Sequence, residues 1–308
     1  MRFYKGIQTS QLVYEIAPHL KMLSAHPTLA GFEDFVGCYL LTGEKKALID
    51  VGPGAGIPGL LNALSVAGVS PAEIDYIILT HIHIDHAGGI GQAVKVMKNA
   101  RVLAHSRARN HLIDPTALWQ ASQATLGELA LRYGRIDPVP ENRIITVEEG
   151  MQLDLGHGLV PEIYVTPGHA PHHIAVFDRL ENILLAGDMA GVYMHDFFRP
   201  NAPPPFKFQD FLTSIDKIIA LKPDKIGYSH FGCYGDAVKK LCAVRAQTVL
   251  WHEIVRAGAK NGQTAEDMFG LLRTRDATIE KIEKLDKSVY PRDYALILNT
   301  IRGLMAAE

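Results

Sequence analysis

Residues 80–89 read THIHIDHAGG and hold His81, His83, Asp85 and His86 within six positions. Neutral imidazole nitrogen and carboxylate oxygen are ligands for zinc, iron and manganese. The apolar run DYIILT, residues 75–80, comes just before them, so the cluster stands where a buried strand ends. In an extended chain alternation places His81 and His83 on one side. Asp85 and His86 follow where the chain turns into a helix, and they face a second point. Gly88-Gly89 lets backbone pass close by. So short a segment suits two ions sharing four ligands better than one ion taking all of them.

A site for two ions needs ligands from elsewhere in the chain. The candidates are His169 in VTPGHAPHH, Asp188 in LLAGDMAG and His230 in IGYSHFG. Each follows an apolar stretch and stands at a glycine-containing loop, a layout that gathers strand ends at one sheet edge.

The elements that must hold these residues follow from periodicity and breakers. Residues 12–16 and 20–23 read as short strands, and 36–42 with 46–51 as a hairpin around Gly43-Glu44. Residues 57–68 carry Leu60, Leu61 and Leu64 at helical spacing and stop at Gly68. Strand 74–80, helix 89–99 and strand 101–104 come next. Residues 106–142 are poor in β-branched side chains, contain Trp119, and read as a helical insert. Strands resume at 144–147 and 163–165, and 173–177 with 182–186 form a second hairpin. RPNAPPPF, residues 199–206, is too proline-rich for helix or central strand. Helix 209–221 and a last short strand, 225–229, complete an α/β core spanning residues 1–235. From Asp236 to residue 308 the pattern is helical. Leu241, Val244, Thr248, Trp251 and Val255 form one face, and Tyr294, Ile297, Ile301 and Leu304 another.

Composition narrows the function. The 308 residues carry a formal net charge of −2, with little electrostatic footprint for nucleic acid or an anionic membrane. Three cysteines, Cys38, Cys233 and Cys242, form no C-x-x-C pair, which argues for a reducing, cytoplasmic setting. The N-terminus lacks the apolar core of a signal peptide, and no run is long enough to span a bilayer. A small-molecule substrate is the expected partner.

The H-x-H-x-D-H run, TPGH, the GD after an apolar strand, the later strand-end histidine and LIDVG at Asp50 appear in order over residues 12–235, and together they resemble the metallo-beta-lactamase superfamily. The resemblance implies an αββα sandwich with metals at one edge. It implies that His81, His83 and His169 hold one ion, that Asp85, His86 and His230 hold the other, and that Asp188 bridges them. It implies two divalent ions, zinc foremost, with iron or manganese as alternatives. Hydroxide between them would attack an electrophilic centre, with Asp85 orienting it and moving a proton to the leaving group. Asp50 and His173 would stand behind the ligands, fixing tautomers or loop geometry.

The TPGH and HAGG contexts look most like the glyoxalase II and lactonase branches, which points to a hydrolase of a small ester, thioester or lactone. The insert at 106–142 and the helices of 236–308 depart from a minimal lactamase layout. Those helices have three available roles: covering the site, packing on the core, or joining two copies as a homodimer. GVYMHDFFRP follows Asp188 and places Tyr193, His195 and Arg199 near a pocket mouth, where Tyr193 could donate to a substrate oxygen. Two other functions are compatible with the motifs. One is a persulfide dioxygenase-like oxidoreductase using one iron, held by His81 or His83 with His169 and Asp188. The other is a non-catalytic, metal-stabilised binding protein.

Overall fold

A computed structural model describes residues 11–25, 27–194 and 197–307. The first sheet has seven strands in sequence order: β1 (Val13–Ala17), β2 (Leu20–Ser24), β3 (Gly37–Thr42), β4 (Lys46–Ile49), β5 (Ile74–Ile78), β6 (Arg101–His105) and β7 (Ile144–Val147). Strands β1 to β4 pair antiparallel and β4 to β7 parallel. Strands β8 (Glu162–Val165), β9 (Ile174–Asp178) and β10 (Ile183–Leu185) belong to the second sheet. A two-stranded ribbon follows, β11 (Val192–Met194) with β12 (Phe197–Arg199). Strands β13 (Lys225–Gly227) and β14 (Cys233–Gly235) complete the second sheet in the order β14-β13-β10-β9-β8.

The layers follow from side-chain alternation. In β4, Ala47 and Ile49 join the core between the sheets, while Leu48 points to the outer core. In β9, Ile174 and Val176 face inward and Ala175 and Phe177 outward. Both sheets are therefore apolar on both faces and need a helical layer on each outer side. On the first sheet that layer is α1 (Ile57–Val66), the one-turn α2 (Ile84–Ala87), α3 (Ile90–Val96), α4 (Arg109–Ile113), α5 (Thr116–Leu126) and α6 (Glu128–Tyr133). On the second it is α7 (Phe208–Ala220), α8 (Ala237–Lys260), α9 (Ala265–Arg275), α10 (Thr278–Glu283) and α11 (Tyr290–Ala306). The result is an αββα sandwich. Leu241, Val244, Thr248, Trp251 and Val255 on α8 are all buried, as are Ile297, Ile301 and Leu304 on α11. The helices after Asp236 thus share one apolar core with α7 and the second sheet.

Three readings of the sequence are corrected. The segment around Tyr193 is the ribbon β11–β12 rather than a loop, its short strands split by polar residues that hide the alternation. His195 lies outside the described residues. The strand at 225–227 is not the last, because β14 follows as three residues, CYG, too few for a period to register. The insert is three short helices, α4 to α6, followed by an extended stretch before β7.

Helix α11 approaches the proline run closely. A Cβ added at Gly303 would stand 1.8 Å from the Ala202 carbonyl oxygen. Gly303→Ala is therefore expected to cost about 1–3 kcal/mol through overpacking, read as a lower urea midpoint with an unchanged slope.

Candidate metal centre

Strand β5 ends at Ile78, the chain bends at Thr80, and His83 is extended (φ −61°, ψ 151°) before α2 starts at Ile84. His81 and His83 therefore stand ahead of the helix, while Asp85 and His86 sit on its one turn. The segment after β8 brings His169, the turn after β10 brings Asp188, and the turn between β13 and β14 brings His230. All seven candidate ligands meet. Three groups have donor atoms within 4.8 Å of one another: His81, His83 and His169; His81, His86 and Asp188; and Asp85, His86 and His230. Asp188 Oδ2 lies between the groups, at 3.8 Å from His81 Nε2, 3.4 Å from His86 Nε2, 3.4 Å from His169 Nε2 and 3.3 Å from His230 Nε2.

The tautomers show what the cluster is built to receive. His169 Nδ1 donates to the Asn201 carbonyl at 2.8 Å, and His230 Nδ1 to the Phe35 carbonyl at 3.2 Å. His86 Nδ1 donates to Asp50 Oδ2 at 3.3 Å. The Thr80 hydroxyl gives its proton to Asp50 Oδ2 at 2.7 Å, so at 3.0 Å it accepts from His81 Nδ1. With the Nδ1 protons committed outward, the Nε2 lone pairs converge inward. His83 Nδ1 faces two of them, at 3.1 Å from His81 Nε2 and 3.0 Å from His169 Nε2. One proton can serve only one of those contacts; the other sets lone pair against lone pair. His86 Nε2 and Asp188 Oδ1 are buried without a hydrogen-bond partner among the described residues. Converging lone pairs, two carboxylates and orphaned acceptors fit cations.

Electrostatics agree. Burial first, then neighbouring imidazoles, hold His81 well below its usual pKa, and burial does the same for His169 against the pull of Asp188. Burial opposes ionisation of Asp188, but His86, His230 and His169 outweigh it and keep the carboxyl well below its usual range. Burial also opposes charge on His86, yet Asp188 and Asp85 outweigh it and raise its pKa well above 6.5. A cation held at His86 Nε2 would take the place of that proton.

Behind the ligands stands Asp50, in a left-handed backbone conformation (φ 58°) that turns the end of β4 toward the cluster. Its Oδ1 accepts from the Thr80 amide at 2.8 Å, and its Oδ2 from Ser229 Oγ at 3.2 Å besides Thr80 and His86. One carboxylate so ties the two segments that carry His81, His86 and His230. His173 Nε2 accepts from the Asp188 amide at 3.0 Å, and its Nδ1 donates to Thr166 Oγ1 at 2.8 Å. A Cβ on Gly187 would meet that Nε2 at 2.4 Å, so glycine there admits the ring.

His173 carries a pH prediction. Burial, reinforced by His86 and His83 and opposed by Asp188, lowers its pKa to about 3. The unfolded chain takes the proton near pH 6.5. The stabilisation is complete above that value and is lost as pH falls toward about 3. Unfolding free energy should fall by up to about 1.4 kcal/mol per pH unit on acidification through this range, read as a falling urea midpoint. The fall should be shallower in His173→Gln; equal slopes in the two proteins would remove His173 as the cause.

A cavity of about 580 Å³ opens on the cluster, with His83, Asp85, His169, Asp188 and His230 in its lining. Tyr193 is not in that lining. Its ring packs on Phe198 at 4.6 Å and edge-on to Tyr234 at 4.7 Å, which corrects its expected place at the pocket mouth. The ribbon pairing turns this residue into an aromatic cluster with Tyr228 instead. Sequence reasoning missed Asn201, whose Nδ2 donates to Asp188 Oδ2 at 2.8 Å while its carbonyl holds His169. It also missed Phe35, whose ring lies 4.4 Å from that of His230. The proline run after Asn201 was the available signal, since it stiffens the segment that presents this residue.

Residues 31–230 match the model of the metallo-beta-lactamase superfamily. The chain is 33% identical over 207 residues to the metallo-beta-lactamase fold-containing protein ST1585 of Sulfurisphaera tokodaii, covering 65% of this chain and 74% of that protein. The crystal structure of ST1585 aligns with a TM-score of 0.67 at 30% identity, over 76% of this chain and 87% of that one. TTHA1429 from Thermus thermophilus shares the fold with a TM-score of 0.68 at 24% identity, over 93% of this chain and 92% of its own. The N-acyl homoserine lactonase AttM of Rhizobium radiobacter is 28% identical over 166 residues, 52% of this chain, and the chain spans 58% of AttM's length. The family match runs from before β3 to His230 and takes in every candidate ligand, and on that ground the chain belongs to the metallo-beta-lactamase superfamily.

Proposed function

We propose that this chain is a metal-dependent hydrolase of a small ester, thioester or lactone. The observation that carries the reading is the meeting of two ligand groups at Asp188, on a cavity of small-molecule size. His81, His83 and His169 would hold one divalent ion and Asp85, His86 and His230 the other, with Asp188 between them. Zinc suits this nitrogen and carboxylate set, as do iron and manganese. Bound there, such ions supply Lewis acidity, lowering the pKa of water toward about 7 and polarising a carbonyl oxygen.

The chain's own residues do the rest. Asp85 is the reachable carboxylate, its side chain 20% exposed against 3% for Asp188. It lines the cavity and is placed to take a proton from the attacking water and pass it to the leaving group. Asp50, His173 and Asn201 hold the ligand tautomers and the Asp188 loop, so the donor set is preorganised. The likeness to AttM favours a lactone within the proposed substrate class.

Elemental analysis of protein purified without added metal is expected to find two ions per chain. One iron per chain, with content unchanged in Asp85→Asn and His86→Ala, would replace this reading with single-iron oxidation. On a panel of esters, thioesters and lactones, Asp85→Asn should lose about 10²-fold or more in kcat. Unchanged turnover in that variant would remove Asp85 from proton transfer.

A further inference from the structure

Helix α5 packs shallowly, with Leu118, Trp119 and Leu126 only half-buried against the first core. Of its 11 residues only Ser122 is buried. Yet Leu118, Ala121, Ser122, Thr125 and Leu129, the last on α6, recur at three- and four-residue spacing and line the cavity that holds Asp85 and His169. Ala121 and Thr125 are exposed, and Leu118 and Leu129 are half-buried. Ser122 Oγ donates to the Leu118 carbonyl at 2.8 Å, so its polarity is spent within the helix and a methylene remains to face the cavity. Phe32, Leu296 and Pro204 add further apolar lining. Asn201 is committed to Asp188 and His169. Arg199 lies on the opposite wall, where Asp293 holds its Nε while Nη1 and Nη2 have no hydrogen-bond partner among the described residues.

We propose that α5 and the start of α6 are the recognition wall for an aliphatic acyl limb of the substrate. The reactive carbonyl would sit at Asp85 and Asp188, and its hydrocarbon chain would lie along Leu118, Ala121, Thr125 and Leu129. The assignment rests on the hydrolase reading for its carbonyl end and on the cavity for its chain end. Along Leu118, Ala121 and Leu129 a hydrocarbon limb sheds water without covering a polar side chain, whereas Arg107, His111, His172, Arg199 and Asn299, polar members of the lining, lie off these two helices. Each methylene so buried should tighten binding about fourfold.

The test uses the metal-loaded full chain and two ketones that cannot be hydrolysed, 2-butanone and 2-decanone, with binding measured by calorimetry. Beside it stands a series of p-nitrophenyl esters from acetate to decanoate. Expected results are binding of 2-decanone at least about a hundredfold tighter than 2-butanone and a kcat/KM that rises with chain length through KM. Ala121→Trp fills the wall from an exposed position, so the fold should tolerate it. It should abolish the chain-length preference in both assays. Gln120→Trp, on the same helix but outside the lining, should preserve the preference. Equal binding of the two ketones, or equal losses on all esters in Ala121→Trp, would overturn the assignment. Should no ester be cleaved while 2-decanone keeps its advantage and Ala121→Trp removes it, the acyl wall stands and the hydrolase reading falls.

Discussion

Asp188→Asn is expected to lower kcat/KM by about 10³-fold or more, roughly 4 kcal/mol of transition-state stabilisation, and to reduce bound metal below two ions per chain. The reason is position. Asp188 Oδ2 lies within 3.3–3.8 Å of nitrogens from both ligand groups, so a neutral amide removes the one charge common to the proposed sites. The fold should survive, because the amide keeps the carboxylate's shape and its backbone N–H still donates to His173. Elemental analysis and the urea midpoint separate the outcomes. Full metal content with full activity would show that Asp188 bridges nothing.

Asp293→Ala is expected to destabilise the protein by about 3–5 kcal/mol, roughly 10 °C in Tm for a chain of this size. Asp293 is fully buried on α11. It accepts from Arg199 Nε at 3.1 Å and from Arg292 Nη2 at 2.6 Å, both from side chains that are themselves buried. Burial works to raise its pKa, but the two guanidinium groups outweigh burial and hold it below the usual carboxylate range. Removing the carboxylate leaves two buried cations without it, which costs far more than the pair contributes by attraction. The effect should reach the metal centre. Arg292 lies over the Phe35 ring at 4.1 Å, and the Phe35 carbonyl accepts from His230 Nδ1. Metal affinity should therefore drop along with Tm; a lowered Tm with unchanged affinity would confine the network to structure.

The candidate ligands could be read from sequence because each sits in a short local pattern. His81 and His83 leave a strand, Asp85 and His86 open a helix, and φ and ψ at His83 place that change of direction between them. His169, Asp188 and His230 likewise stand after apolar stretches at glycine-bearing turns. The helix faces were equally local: Leu241 to Val255 and Ile297 to Leu304 keep their period and are buried along it. Local signals failed where the period was too short to register, as in β14, or where strand pairing redirected a side chain, as at Tyr193. Asn201 and Phe35 carry no motif. Their roles arise from a carbonyl of one segment meeting an imidazole 32 and 195 residues away.

By itself, then, the order of residue types pointed to the candidate ligands and marked the helical faces, because spacing of 2.0 and 3.6 residues and the chemistry of histidine and aspartate are local properties. Only the tertiary structure decided which nitrogen of each histidine faces inward, because that depends on acceptors such as Asp50 and Asn201 brought from distant segments. It also decided that Leu118, Ala121 and Thr125 of α5 line the cavity beside the cluster, a fact about what packs against a helix and absent from the helix's own sequence.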